Sequence, residues 1–115
     1  MEKQEPIRWE KIAAAREELH FAQNNIATII FEERKICIIQ MPAGLRACVD
    51  RCPHAAGSLS GGFIDSRGNI VCPVHQYAFN LAHGRDAMNE GYRLATFEVR
   101  ENEEGIFIGI KNTGK

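Results

Sequence analysis

The segments Cys52-Pro53-His54 and Cys72-Pro73-Val74-His75 decide how this sequence is interpreted. Each offers one thiol and one imidazole, and in each a proline directly follows the cysteine. Matched pairs of these soft and borderline donors are ligands of transition metals. Proline stiffens a loop because it fixes φ and removes an N–H donor. We therefore expect two tight loops that hold one metal site from opposite sides.

The sequence around these two motifs predicts short strands on both sides of a glycine-rich region. Apolar and polar residues alternate, or β-branched residues cluster, in short runs separated by polar turns. Residues 50–91 read instead as loops on a small scaffold. The predicted strands are 7–13, 26–31, 36–41, 45–49, 93–100 and 106–110, with a helical turn at 13–19 and hairpin turns at 32–35 and 102–105.

Length and composition exclude several classes of protein. The chain has 115 residues, is 44% hydrophobic and carries a net charge of −1, so we expect one soluble domain. Nonspecific nucleic-acid binding needs a basic surplus, which is absent here. No apolar run approaches the ~20 residues of a membrane span, and no apolar run follows the charged N-terminus as in a secretory signal. We therefore expect a cytoplasmic protein, whose four cysteines are thiols or metal ligands.

The two motifs and their surroundings resemble the Rieske iron–sulfur domain. That family has Cys-x-His, a spacer of similar length, and Cys-x-x-His. Gly57 and Leu59 after the first motif, Gly68 before the second, and Tyr77 and Phe79 after it also resemble the family. The resemblance implies one [2Fe–2S] cluster per chain. Its cofactor-binding and metal ligands would be Cys52 and Cys72 on one iron and His54 and His75 on the other.

The same resemblance, over roughly residues 7–110, implies an all-β fold. The expected architecture is a small antiparallel sandwich or barrel-like scaffold with a loop-rich cluster-binding subdomain. A single Rieske domain would span residues 1–115, and the subdomain would cover about 46–84. The two ligand loops would form its tip and leave the histidines near solvent.

The implied function is one-electron transfer between a reductase and a terminal oxygenase or another oxidoreductase. Such a protein is a carrier, with no catalytic residues of its own. We expect redox proteins as partners, no nucleic acid or membrane, and a monomer. A membrane-anchored respiratory subunit and a two-domain oxygenase subunit are not expected from this chain. A second role within the family remains open, the small Rieske subunit of a nitrite reductase complex.

The residues after the second motif predict a low reduction potential for a Rieske centre. Histidine ligation places such centres at about −150 to +300 mV, against about −400 mV for plant-type clusters. High-potential members have a Ser and a Tyr at the positions of Tyr77 and Phe79, and a disulfide at the positions of Gly57 and Val74. Phe79 donates no hydrogen bond, and the disulfide is absent. Whether the Tyr77 hydroxyl turns toward the cluster stays open, as does the shielding by residues 86–92, where Gly91 must shape the turn.

Other interpretations of the same residues need no redox centre. The four ligands also suit a structural zinc site in a binding module, and one Cys–His pair suits a nucleophile. We expect Cys37 and Cys48 in the core, Trp9 as a core anchor, and His83 solvated or bonded to backbone. The nearby arginines are either scattered solubility charges or a basic rim for an acidic partner: Arg46, Arg51, Arg67 and Arg85.

Overall fold

The computed structural model describes residues 7–54 and 57–111 and confirms the all-β fold. Within those ranges the strands form a six-stranded sheet and a three-stranded sheet, both antiparallel. Short 3₁₀ helices cover Arg16–Glu18 and Leu59–Gly61. The strands are β1 Ile7–Ala13, β2 Ile26–Phe31, β3 Arg34–Met41, β4 Gly44–Val49, β5 Phe63–Ile64, β6 Asn69–Val71, β7 Ala78–Asn80, β8 Thr96–Asn102 and β9 Gly105–Lys111.

The large sheet has the order β1-β9-β8-β4-β3-β2, so β1 and β2 form its two edges. An ion pair nevertheless joins the two edges, because the Arg8 guanidinium on β1 lies 2.8 Å from the Glu32 carboxylate after β2. The sheet is therefore curled, which agrees with the barrel-like scaffold expected from the sequence.

The turn between β2 and β3 is shorter than predicted. Only Glu32 and Glu33 connect the strands, because Arg34 and Lys35 already belong to β3. Both glutamates have positive φ, 53° and 69°, as a two-residue type I′ turn requires. The charge pattern predicted a turn here but did not reveal how tight it is.

The segment expected to be only loops contains the small sheet, in the order β5-β6-β7. This sheet lies within the predicted cluster-binding subdomain, and the second motif forms the connection between β6 and β7. The predicted helical turn at 13–19 condenses to the 3₁₀ helix Arg16–Glu18.

The core has two parts, which take alternate residues of the large sheet. The first lies between the two sheets and includes Ile39 of the large sheet, Ile70 and Phe79 of the small sheet, and the cysteines of both motifs. The second lies on the large sheet and includes Ile36, Ile38 and Ile108. Val49 packs against both parts.

Cys37 and Cys48 lie opposite each other on β3 and β4, and both are fully buried. This confirms their predicted place in the core. The hydrogen bond with the Cys48 thiol, together with burial, raises the pKa of Cys37 far above its ordinary value. Both features keep this thiol protonated and unreactive.

Trp9 does not occupy the core position predicted for it. Its side chain is half-buried on β1, and the Arg100 guanidinium lies 4.2 Å from the centroid of its ring. Trp9 pairs with Gly109, whereas the adjacent Ile108 is buried in the core, so Trp9 lies on the outer face of the sheet. A cation over its aromatic ring is favourable there.

Candidate metal centre

The first ligand loop begins directly after β4. The Cys52 N–H donates to the Gly57 carbonyl at 2.9 Å and closes the loop. The Cys52 side chain is buried, and His54 is half-buried. This loop therefore directs its sulfur into the protein and its imidazole toward the rim.

The second ligand loop connects β6 to β7 in the same way. The Cys72 N–H donates to the Tyr77 carbonyl at 2.8 Å, and the Gln76 N–H donates to the Cys72 carbonyl at 2.9 Å. Gln76 has a positive φ of 61°, which lets the chain reverse at this point. Cys72 is fully buried and His75 is exposed.

The structure brings the two loops together. The ring centroids of His54 and His75 lie 5.3 Å apart, and both motif cysteines belong to one buried cluster. Gly57 lies where the loops meet, because a Cβ there would collide with the Val74 side chain and lie 3.3 Å from Cys72 Sγ.

The donor set fits a metal cofactor. His54 Nδ1 is buried and has no hydrogen-bond partner among the described residues. A buried polar nitrogen without a partner is costly, and coordination to a metal would satisfy it. Across 7–54 and 57–111, no group of three or more His, Cys, Asp or Glu side chains is placed to hold a metal ion, so the fit rests on the chemistry of the donors and on His54 Nδ1.

Two tyrosines cover His54, and the sequence pointed to only one of them. The Tyr77 ring stacks on the imidazole, with centroids 3.8 Å apart and planes 15° from parallel. Tyr92 meets the same imidazole edge-on, at 5.0 Å and 87°. His75 remains exposed, so the two candidate ligands differ in access to solvent.

The Tyr77 hydroxyl donates a hydrogen bond to the Glu90 carboxylate at 2.5 Å. This bond raises the pKa of Tyr77 to about 12. The Phe79 ring is fully buried and has no hydroxyl to donate. The orientation left open by the sequence is thus toward Glu90.

Asp86 shapes the turn that carries Tyr92. Its two carboxylate oxygens accept the N–H groups of Glu90 and Tyr92, each at 2.8 Å. The Glu90 N–H and the other backbone donors lower the pKa of Asp86. Gly91 has φ of 95°, which confirms the prediction that glycine shapes this turn.

Asp50 anchors the first ligand loop from inside the protein. Its side chain is 1% exposed and accepts the Ser60 N–H at 2.7 Å and the Ser58 hydroxyl at 3.0 Å. Lys35 Nζ lies 3.5 Å away. Burial alone would raise the pKa of Asp50, but the hydrogen bonds from Ser60 and Ser58 hold it below its ordinary value. No sequence motif marked Asp50, because a carboxylate beside serines is common in loops.

The four arginines singled out in the sequence do not form one rim. Arg46 and Arg67 line one groove, whereas Arg85 lines another. His83 is exposed, and its Nδ1 accepts the Arg85 N–H at 3.2 Å, as expected of a histidine bonded to backbone.

Known proteins and one protein family are similar to this chain in sequence. The family model of the Rieske [2Fe-2S] domain matches residues 9–98. The chain is 29% identical over 110 residues to the cholesterol 7-desaturase nvd of Bombyx mori, covering 90% of this chain and 24% of that protein. It is 27% identical over 63 residues to the ferredoxin component of the naphthalene 1,2-dioxygenase system of Pseudomonas aeruginosa, covering 55% and 60%.

Two solved structures share the fold. A chain from the complex of oxygenase and ferredoxin in carbazole 1,9a-dioxygenase superposes with a TM-score of 0.71 at 28% identity, covering 90% of this chain and 95% of that one. A structure described as an NADH-dependent nitrite reductase small subunit from Mycobacterium tuberculosis superposes at 0.76 with 16% identity, covering 94% and 99%. None of the helices in the described residues is long and apolar enough to cross a membrane. The match over most of the chain shows that this protein belongs to the Rieske [2Fe-2S] domain family, whose cofactor is a [2Fe–2S] cluster.

Proposed function

We propose that the protein is a Rieske ferredoxin that carries single electrons between a reductase and a terminal oxygenase or another oxidoreductase. Cys52 and Cys72 would bind one iron, and His54 and His75 the other. The approach of the two ligand loops carries this proposal. Their cysteines belong to one buried cluster, the rings of His54 and His75 lie 5.3 Å apart, and the buried His54 Nδ1 has no hydrogen-bond partner among the described residues. When bound, the cluster supplies a centre that accepts and releases one electron.

The residues of the chain would bind the cofactor, shield it and let a partner approach. The buried thiols hold it against the core, and Tyr77 and Tyr92 keep water from His54. His75 is the exposed candidate ligand, so we assign the shortest electron-transfer path to a partner to the edge of its imidazole ring. In this proposal the protein is a cytoplasmic carrier and not a catalyst. The chain forms one Rieske domain, whose cluster-binding part covers about residues 46–84.

Absorption and EPR spectra before and after reduction with dithionite test the proposal. We expect a reddish-brown protein whose reduced form has an average g value below that of an all-cysteine cluster. Cys52→Ser and Cys72→Ser should lose the cluster, whereas Cys48→Ser, an equally buried control, should keep it. A colourless protein that holds zinc after anaerobic iron–sulfur reconstitution would contradict the proposal. Size-exclusion chromatography beside a candidate acceptor separates a diffusing carrier from a permanent subunit.

A further inference from the structure

Arg85 and Arg93 form a pair of like charges beside the candidate metal centre. They lie opposite each other in an isolated antiparallel bridge, and both are exposed. Within the described residues, neither guanidinium forms an ion pair or a hydrogen bond. Like charges directly opposite each other in a β-pair are destabilising. No contact within the described residues compensates for this repulsion.

Two carboxylates of the same turn, Asp86 and Glu90, are already engaged. Both oxygens of Asp86 accept backbone N–H groups, and the Glu90 carboxylate accepts the Tyr77 hydroxyl. The two arginines therefore keep their donors for a group from outside. They line a notch of about 190 Å³ together with Asp86, Asn89, Gly91 and Tyr92.

The notch lies beside a ring that covers the candidate metal centre. Tyr92, which lines the notch, contacts the His54 imidazole at 5.0 Å between ring centroids. A protein surface seated on the notch would thus lie close to both ligand loops. Guanidinium groups bind carboxylates with two parallel hydrogen bonds, and complementary charge accelerates the encounter of two proteins.

We propose that Arg85 and Arg93 form the docking site for a carboxylate-rich surface of the redox partner. This inference rests on the proposed function, because it needs an electron-transfer partner. It assigns partner recognition to residues outside the four ligands. It also replaces the rim of four arginines considered from the sequence with a pair that includes Arg93.

The test uses the loaded protein and two small oxidants of opposite charge. The reduced protein is mixed in a stopped-flow instrument with hexacyanoferrate(III), an anion, or hexaamminecobalt(III), a cation. The ionic strength is about 10 mM, where the Debye length is about 30 Å. The double variant Arg85→Gln/Arg93→Gln is compared with Arg46→Gln/Arg67→Gln, which removes the same charge from the other groove.

We expect the notch variant to react about tenfold more slowly with the anion and faster with the cation. The charge-preserving variant Arg85→Lys/Arg93→Lys should restore both rates. A short oligoglutamate peptide should slow oxidation of the wild type by hexacyanoferrate(III) and leave the notch variant unaffected. Inorganic phosphate at the same ionic strength should have little effect.

Four outcomes would overturn the inference. The first two are unchanged oxidation rates in the notch variant and equal rate changes in the notch variant and the Arg46→Gln/Arg67→Gln control. The third is a fall in the notch variant's rates with both the anion and the cation. The fourth is inhibition of the wild type by phosphate as strong as that by the peptide. The absorption and EPR spectra separate this failure from failure of the proposed function. If the wild-type protein lacks the cluster signal, or if neither oxidant reoxidises it, both the proposed function and the docking site are contradicted. If the spectra are intact but the rates do not depend on charge, only the docking site is contradicted.

Discussion

At the scale of single residues, the two candidate histidine ligands are inequivalent. His54 is covered on one face by Tyr77 and at its edge by Tyr92, while His75 is exposed. The metal-ligand motifs place both histidines in one site but say nothing about this asymmetry. Part of it arises from Tyr92, which lies 38 positions after His54 and is held in place by the Asp86 turn.

Gly57→Ala should loosen the contact between the ligand loops. The added Cβ would collide with Val74 and crowd Cys72 Sγ. Overpacking of this kind costs about 1–3 kcal/mol, so we expect lower thermal stability and less iron per chain. Gly61→Ala is the matched control, because among the described residues its Cβ would meet only Pro73 Cγ, at 3.9 Å. Equal iron contents in the two variants would show that the ligand loops still bind the cluster when the added methyl group pushes them apart.

Tyr77→Phe should leave the reduction potential unchanged. The hydroxyl donates to Glu90, so its removal takes no hydrogen bond from a sulfur, and the ring that stacks on His54 remains. Protein-film voltammetry of both proteins checks this. A clear fall in the potential of Tyr77→Phe would mean that the hydroxyl turns toward the cluster in the loaded protein.

At the scale of elements, the sequence predicted the longer strands and not the short ones. β1 and β2 were predicted at their observed bounds because their apolar residues alternate or cluster over six or more positions. β5, β6 and β7 have two or three residues each, too few to show a period of two. They form because each strand hydrogen-bonds to its neighbour in the small sheet, and because β6 and β7 bury Ile70 and Phe79 in the first part of the core.

Asp50→Ala should destabilise the first ligand loop. The change removes acceptors for the Ser60 N–H and for the Ser58 and Ser60 hydroxyls. At about 1 kcal/mol for each bond, we expect a loss of about 3 kcal/mol in the free energy of unfolding. Chemical denaturation of the two proteins measures it. The double variant Ser58→Ala/Ser60→Ala keeps the bond from the Ser60 N–H and should lose less. A greater loss in the serine variant would argue against Asp50 as the anchor.

The Asp86 turn should weaken in acid. The pKa of Asp86 is lowered in the folded protein, so its contribution is present above the unfolded pKa of about 3.9. It is lost as the pH falls through the folded pKa. Amide exchange of Glu90 and Tyr92 should therefore accelerate, beyond its intrinsic pH dependence, once the pH falls below about 4. Asp86→Asn, which has no such titration, should not show this added acceleration.

At the scale of the whole molecule, the core has two parts, and only the first contains the motif cysteines. The first part contains the motif cysteines and Phe79, and the second contains Ile36 and Ile38 on the large sheet. The sequence motif predicts the four candidate ligands. It could not predict the roles of Asp50, Tyr92 or the Arg85–Arg93 pair, because each depends on a contact that the fold makes outside the motif.

This division predicts different effects for two core truncations. Ile38→Ala should cost about 2–5 kcal/mol of global stability and leave the visible spectrum of the cluster unchanged. Phe79→Ala should cost about 3–5 kcal/mol and reduce the iron content as well. Thermal unfolding followed by circular dichroism and by visible absorption separates the two. Equal loss of iron in both variants would show that the core acts as one unit.

The tight turn at Glu32 and Glu33 has a consequence for engineering. Both residues hold a left-handed backbone that costs a non-glycine residue about 1–3 kcal/mol. Asn at position 32 and Gly at position 33 would adopt it with less strain, although the Arg8–Glu32 ion pair would be lost. We therefore expect the two substitutions to increase the free energy of unfolding. A background carrying Glu32→Asn/Glu33→Gly could compensate for damaging changes in the ligand loops, so that their effects on electron transfer are measured in a folded protein.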